Sequence, residues 1–392
     1  MEDLKKIEQK VQDIYLSFKM LDIDIVENIS LIDGLSGILL FVYEYEKIYT
    51  NNSFSLSIRI LNRILELINK KRTDYRFSSG ILGVNLVLKT IIFEEILDSE
   101  TQSVLKSFTQ KIDKSCFNYL KNSEFLGFSD FLHGELGGIW SIGLYSNYKQ
   151  KKVFQKYLKN FIKVSGIEEK GFFYTLPKVV VGNNTVSLGL SHGVPSALSI
   201  FAQNLKPGRW EEKVIRKMKN FINSTKNDTG CCIFPSLIVD QNKVEYSRMG
   251  WCYGDLSVAL SFWYAGKKTL NKDWQQEAID IFLASIKRND IEKEMIKDAG
   301  LCHGTAGIAH IYNRMYWETN ILDFKKIANF WVDKTLEMSY HKNSLAGFSA
   351  FYENHFEDDY SFLEGISGIG LALLFHINPK VEPTWDKCLL IS

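Results

Sequence analysis

Cys302 and His303 stand side by side in Gly300-Leu301-Cys302-His303-Gly304-Thr305-Ala306-Gly307, directly before a small-residue helix start. A thiolate and a neutral imidazole are the two commonest protein ligands for zinc. Gly304 and Gly307 allow a sharp turn and a close approach to another helix. Two adjacent residues cannot complete a tetrahedral site. Trp251-Cys252-Tyr253-Gly254 repeats the layout, its cysteine again two residues before a glycine, and offers a third ligand. Cys252, Cys302 and His303 would form a three-ligand site with an open fourth position, the arrangement of catalytic rather than structural zinc.

The elements that must bring these residues together are visible as a repeat. Glycine-led joints of the same type recur at Gly34, Gly80, Gly134, Gly193, Gly254, Gly304 and Gly365, in steps of 46, 54, 59, 61, 50 and 61 residues. Each is followed by a small and aliphatic run. Most are preceded by a segment of helical periodicity with charges on one side, such as residues 57–70 (apolar at Ile58, Ile60, Leu61, Ile64, Leu65, Leu67 and Ile68) and 153–164 (Val153, Phe154, Tyr157, Leu158, Phe161 and Ile162). Each repeat therefore reads as a helical hairpin, with a charged outer helix and a small-residue inner one. Uneven repeat lengths and apolar first and last copies favour closure, since an open superhelix needs polar caps. The expectation is an all-α protein, an α/α toroid of seven hairpins with seven inner and seven outer helices, forming one domain over residues 1–392.

Two segments depart from the helical pattern. Residues 171–187 carry β-branched clusters around a Gly-Asn turn, and residues 232–246 read as a second short hairpin turning near Asp240–Lys243. Both precede a joint with a candidate polar residue, so they are expected to roof one mouth of the ring.

Bulk properties narrow the function further. Lys plus Arg (47) balance Asp plus Glu (46), a net charge of +1, so no field favours nucleic acid or an anionic membrane. No stretch approaches the roughly 18 apolar residues of a membrane helix, and the start lacks an apolar run of signal-peptide length, which gives a soluble, cytoplasmic reading. Six cysteines in so large a chain are not needed as disulfide staples.

If the joints converge, odd polar residues in equivalent places become neighbours. These are Asp130 and His133 in the third joint, His192 in the fourth, Cys252 with Arg248 before it and Tyr253 after it in the fifth, and Cys302 with His303 in the sixth. His192 reads equally as a satisfied structural histidine, and Asp130 equally as a helix N-cap before Phe131. Cys116, Cys231, Cys232 and Cys388 read as inert core. His310, His341, His355 and His376 read as surface or packing residues.

At Ser191-His192-Gly193, Trp251-Cys252-Tyr253-Gly254 and Cys302-His303-Gly304, with the Gly-rich joint of every repeat, the chain resembles the lanthipeptide cyclases, the LanC family, and most its stand-alone bacterial class, over about residues 30–375. The resemblance implies an α/α toroid, agreeing with the repeat. It implies zinc on Cys252, Cys302 and His303, and catalytic roles for His192, Arg248 and Asp130, with Tyr253 beside them. It implies the reaction, an intramolecular Michael addition of precursor-peptide cysteine thiols to dehydroalanine or dehydrobutyrine, and the partners: a dehydrated precursor peptide, a dehydratase and an exporter. Three rivals stand. One is a related zinc enzyme that adds glutathione to dehydroamino acids, and another a zinc-stabilised docking scaffold without catalysis. The third, a sugar-processing α/α barrel, needs paired carboxylates at the mouth; Glu135, Asp255 and Glu364 lie near the joints but are read as outside the register of the Cys and His residues.

Overall fold

A computed structural model describes residues 2–51, 53–70, 74–122, 129–144, 148–175, 183–228, 230–244 and 246–392. Every one of the seven joint glycines stands immediately before a helix. The seven helices so begun are α2 (Leu35–Tyr49), α4 (Ile81–Glu94), α6 (Glu135–Leu144), α8 (Val194–Asn204), α10 (Asp255–Lys268), α12 (Thr305–Thr319) and α14 (Ile366–Ile377). They alternate with seven charged-face helices: α1 (Glu2–Met20), α3 (Ser55–Lys70), α5 (Ser99–Asn122), α7 (Tyr148–Val164), α9 (Arg209–Ser224), α11 (Lys272–Ser285) and α13 (Leu322–Glu337). Burial follows the sequence pattern. In α14 every residue from Ile366 to Phe375 is buried. In α9 the apolar residues Val214, Ile215, Met218 and Ile222 make one buried stripe at helical spacing.

Crowding, rather than backbone dihedral, explains the joint glycines Gly34, Gly193, Gly304 and Gly365. Gly34, Gly80, Gly193, Gly304 and Gly365 have φ between −132° and −94°, extended backbone open to any residue. A Cβ on Gly34, however, would lie 2.5 Å from the Ser30 nitrogen. A second glycine three residues on is crowded on two sides. A Cβ on Gly37 would collide with the Leu31 carbonyl oxygen and lie 2.6 Å from Phe362 Cβ, and one on Gly368 would meet the Phe362 carbonyl and lie 2.6 Å from Leu301 Cδ1. The first, seventh and sixth joints thus nest against one another.

The chain groups into two compact units. The first comprises Met1–Asp74, Ser78–Thr109 and Ile291–Cys388. Within it α12, α14, α2 and α4 pack in that order, with α13 on α12, α3 on α2 and α1 on α14. The seventh inner helix therefore takes its outer partner from the N-terminal end of the sequence. Backbone bonds tie the joints in the same order: Leu301 N donates to Leu363 O (2.7 Å), Phe362 N to Ile32 O (2.9 Å) and Ile32 N to Ser78 O (3.2 Å). The first and last repeats are direct neighbours.

The second unit comprises Tyr75–Phe77, Gln110–Asp290 and Leu389–Ser392. Here α8 packs between α6 and α10, with α7, α9 and α11 on their respective inner helices. Leu132 N donates to Ser191 O (3.2 Å), continuing the same joint-to-joint pattern.

The two β-prone segments combine. In place of two separate hairpins, β1 (Thr185–Ser187), β2 (Leu237–Val239) and β3 (Asn242–Lys243) form one antiparallel sheet, with Val186 opposite Ile238 and Ile238 opposite Lys243. The β2–β3 turn falls where expected, with Asp240 (φ +45°) and Gln241 (φ +72°) both left-handed, as a tight twisted hairpin requires. Residues 176–182, which contain the whole of the expected Lys178–Val181 run, lie outside the described residues. A further hairpin, β4 (Ala350–Tyr352) and β5 (His355–Glu357), turns on Glu353 and Asn354 in the same way and was not expected from the sequence. Among the described residues no helix is long and apolar enough to cross a membrane.

Candidate active site

Two neighbouring positions of each joint have opposite fates. Two residues before the glycine stand Ile32, Ser78, Leu132, Ser191, Cys252, Cys302 and Leu363, all buried. Most of the joint-to-joint hydrogen bonds run through this position, so Cys252 and Cys302 are part of the scaffold that fixes them. One residue before the glycine stand Asp33, Ser79, His133, His192, Tyr253, His303 and Glu364, all partly or fully exposed. That position is where a joint offers a side chain to solvent.

In the second unit, His192 Nδ1 lies 2.6 Å from Asp130 Oδ2. Asp130 Oδ1 meanwhile accepts from the backbone of His133 (2.6 Å) and Gly134 (3.3 Å). One oxygen of Asp130 thus meets His192 and the other caps the loop at His133 and Gly134; it is not the helix N-cap expected before Phe131, since the helix begins at Glu135. Its counterpart Ser361 caps Glu364 (3.4 Å) and Gly365 (3.2 Å) in the seventh joint. A serine can only cap, whereas the longer carboxylate also reaches histidine. Burial pushes the Asp130 carboxyl up, but the hydrogen bond and charge of His192, with the His133 N–H, outweigh it and hold the group below the usual carboxylate range. The exposed His133 ring stacks on His192 with centroids 5.3 Å apart.

The fifth joint belongs to the same unit. Cys252 is 5% exposed, and its carbonyl accepts from Ser191 Oγ (2.8 Å), which locks it to the fourth joint. Trp251, fully buried, donates from Nε1 to the Leu389 carbonyl (2.7 Å). Arg248 Nη2 donates to the Tyr253 hydroxyl (3.2 Å) and its guanidinium lies 5.7 Å from that ring's centre. Gly254, at φ +87°, is the one joint glycine in the left-handed region. Asp255 is structural: it accepts from Phe234 N (2.8 Å), Ile233 N (3.0 Å) and Arg288 Nη1 (2.8 Å) and is 1% exposed.

In the first unit, Cys302, His303 and Glu364 each offer a donor atom, and the three atoms lie within 4.8 Å of one another. A thiol, an imidazole and a carboxylate at that spacing fit a zinc ion by donor chemistry. Glu364 corrects the sequence reading. It stands one residue before Gly365, the register of His303 and His192, and its Oε1 lies 3.8 Å from His303 Nε2. Counting back from Gly365 as from the other glycines is the signal that finds it. Glu135, in contrast, begins α6 and accepts from the Tyr157 hydroxyl (2.6 Å).

The remaining candidates fall away. Cys116, Cys232 and Cys388 are buried, and burial pushes the thiols of Cys232 and Cys388 up. Cys231 is exposed rather than core. His310 is buried against Asp386 (3.1 Å), His341 stacks on Tyr340 (4.2 Å between centroids), and His355 lies 3.6 Å from Glu357.

The chain is similar to the lacticin 481/lactococcin biosynthesis protein LcnDR2 of Lactococcus lactis subsp. lactis, 24% identical over 370 residues, which cover 88% of this chain and 36% of that protein. It spans little more than a third of that relative's length. Among solved structures it resembles nisin cyclase, with a TM-score of 0.75 and 17% identity, over 99% of this chain and 98% of the other. That likeness shows the fold, so the fold class is the all-α toroid of helical hairpins expected from the repeat. The model of the lanthionine synthetase C-like protein family matches residues 25–390, and the chain belongs to that family.

Proposed function

We propose that this chain is a zinc-dependent lanthipeptide cyclase, joining cysteine thiols of a dehydrated precursor peptide to its dehydroalanine or dehydrobutyrine residues as thioether rings. A dehydratase prepares the substrate and an exporter removes the product. The observation that best supports this reading is the shared scaffold position of Cys252 and Cys302, with His303 beside the second, in a chain of the lanthionine synthetase C-like family.

Cys252, Cys302 and His303 would hold the zinc, which when bound lowers a thiol's pKa so that a thiolate exists at neutral pH. The protein's own residues then manage charge and protons. Attack of sulfur on the β-carbon forms the C–S bond and moves an electron pair onto the amide oxygen. Arg248, held by the Tyr253 hydroxyl, supplies the cation that stabilises that enolate. Ring closure removes one proton from the thiol and returns one to the α-carbon, so no net proton is needed. His192 suits either transfer. Asp130, kept ionised, can only accept, so Nδ1 of His192 carries the hydrogen between them and Nε2 is left to exchange a proton with the peptide.

The test joins metal analysis to turnover. One zinc per chain is expected, lost in both Cys252→Ala and Cys302→Ala. A dehydrated precursor should lose free thiols without a change of mass. His192→Asn should retain zinc and slow closure by about a hundredfold or more. A zinc-free but folded and metal-supplied wild type sinks the reading, and so does addition of glutathione with no ring formation.

A further inference from the structure

No step of the proposed chemistry uses the β4–β5 hairpin, although it is bonded to the sixth and seventh joints. We propose that the outer edge of β5 binds an extended segment of the precursor peptide by strand addition, a segment whose side chains alternate between apolar and basic; the inference rests on the cyclase reading.

The hairpin is fixed from two sides. Phe351 N donates to Asp298 Oδ2 (3.0 Å), and Oδ1 of the same carboxylate accepts from Gly300 N (3.1 Å), which ties β4 to the sixth joint. The Tyr352 hydroxyl donates to Asp359 Oδ2, while Asp359 Oδ1 accepts from Ser361 N (2.5 Å), which ties β4 to the seventh. Two strands alone make a marginal structure. Here the anchors all act on β4, and the three residues of β5 are exposed.

The bond to Asp298 also sets which backbone groups face outward. Opposite residues of an antiparallel pair alternate between exchanging both ladder bonds and exchanging none. Because Asp298 engages Phe351 N, the Phe351–Phe356 pair is of the second kind. The N–H and C=O of Phe356 therefore point away from β4, and among the described residues neither is hydrogen-bonded to the protein. A peptide strand on that edge would exchange both bonds with Phe356.

Side chains define what that strand carries. The peptide residue opposite Phe356 shares its face of the sheet. That face is aromatic: Phe356, 40% exposed, lies 5.0 Å from Phe351 and 4.7 Å from His341 between ring centroids, and His341 stacks on Tyr340, which is 61% exposed. An apolar side chain fits there. Its neighbours in the peptide would stand opposite His355 and Glu357. Residues 339–360 hold Glu353, Glu357, Asp358 and Asp359 against one lysine, Lys342, so those neighbours are best basic. The acidic field continues over the joints: burial, Asp359, and the charges of Glu364 and Asp33 push the Tyr352 hydroxyl up. The anchors also favour the precursor as occupant. Asp298 stands four residues before Cys302, so a segment held on β5 is tethered beside the joint proposed to engage its thiol.

The test pairs fluorescence anisotropy of a labelled heptapeptide of alternating lysine and leucine with KM and kcat for ring formation in the dehydrated precursor. Phe356→Pro deletes the outward N–H and the ring but no ladder bond between β4 and β5. It should weaken probe binding about tenfold and raise KM by as much, with kcat unchanged. N-methylation of the probe's leucines removes the N–H groups that would face Phe356 and should weaken wild-type binding equally. Full binding of the methylated probe overturns the proposal, as does unchanged affinity in Phe356→Pro. Weaker probe binding in Phe356→Pro with an unchanged KM assigns the edge to another protein partner and overturns its role in holding the precursor. Should Phe356→Pro not fold, Glu357→Lys on the surface should lower probe affinity about threefold and flatten its salt dependence; unchanged affinity there overturns the proposal too. A wild type that binds the probe through Phe356 yet closes no ring sinks the cyclase reading and not the strand addition.

Discussion

Asp130 and His192 are 62 positions apart in sequence, and their side chains meet at 2.6 Å because the third and fourth joints are hydrogen-bonded neighbours. The pair separates two roles in one carboxylate, since Oδ1 caps backbone and Oδ2 holds the imidazole.

Asp130→Asn should therefore separate those roles. An asparagine oxygen still accepts from His133 and Gly134, so stability should change little. Its amide, turned to His192, donates to Nδ1 and leaves the hydrogen on the other ring nitrogen. Ring formation should fall by about a hundredfold, with zinc retained. Asp130→Ala removes the cap as well and should cost about a further 1 kcal/mol of stability, read as a shifted urea midpoint. Equal stability of the two variants would show that the capping bonds do not hold the joint.

Gly368→Ala tests the nesting of joints. The added methyl meets the Phe362 carbonyl and Leu301 Cδ1, and both neighbours are buried. Overpacking of this kind should cost about 1–3 kcal/mol, which denaturant unfolding of the Gly368→Ala protein checks.

Asp255 and Arg288 form a buried ion pair at 2.8 Å, with side chains 1% and 7% exposed. Removing one partner strands the other, so Asp255→Ala should destabilise by about 3–5 kcal/mol. Because Asp255 also receives the Ile233 and Phe234 amides, activity and zinc should be lost together. Loss of activity with full stability would instead give Asp255 a chemical role.

Acid sensitivity should trace in part to His376. Burial, and then the charge of Lys325, lower its pKa from 6.5 to about 4. The unfolded chain takes up that proton near pH 6.5 and the folded chain does not until about pH 4. Its contribution is thus fully present above pH 6.5 and is lost as pH falls from there toward about 4. Burial lowers His310 likewise. His376→Gln should flatten the urea midpoint against pH across that window, and an unchanged slope would assign the acid loss elsewhere.

The repeat was legible because crowding, a local demand, leaves a glycine where a joint's own loop folds back on the helix start, as at Gly34, Gly193, Gly304 and Gly365. Cys252 and Cys302 stand out in the sequence because they share a register, two residues before a joint glycine, and His303 follows the second of them. Glu364 was missed although the same count finds it, since it was weighed as half of a carboxylate pair and not as the residue before Gly365. The pairing of β1 with β2 depends on contacts between positions 50 residues apart, which no local pattern encodes. The β4–β5 hairpin hides behind a Glu-Asn turn, a weaker signal than Asn-Gly. That α1 serves the last repeat follows from how the ends of the array meet, and periodicity is silent on that.

The bond from Phe362 N to Ile32 O has a consequence for synthesis. A chain that leaves the ribosome from its N-terminus must hold α1 and α2 without their partner α14 until some 330 further residues have been made. Such long-range closure gives a high contact order and slow final assembly. Cys302, His303 and Glu364 come together at that stage, so their donor atoms are assembled well after α1 and α2 have been made.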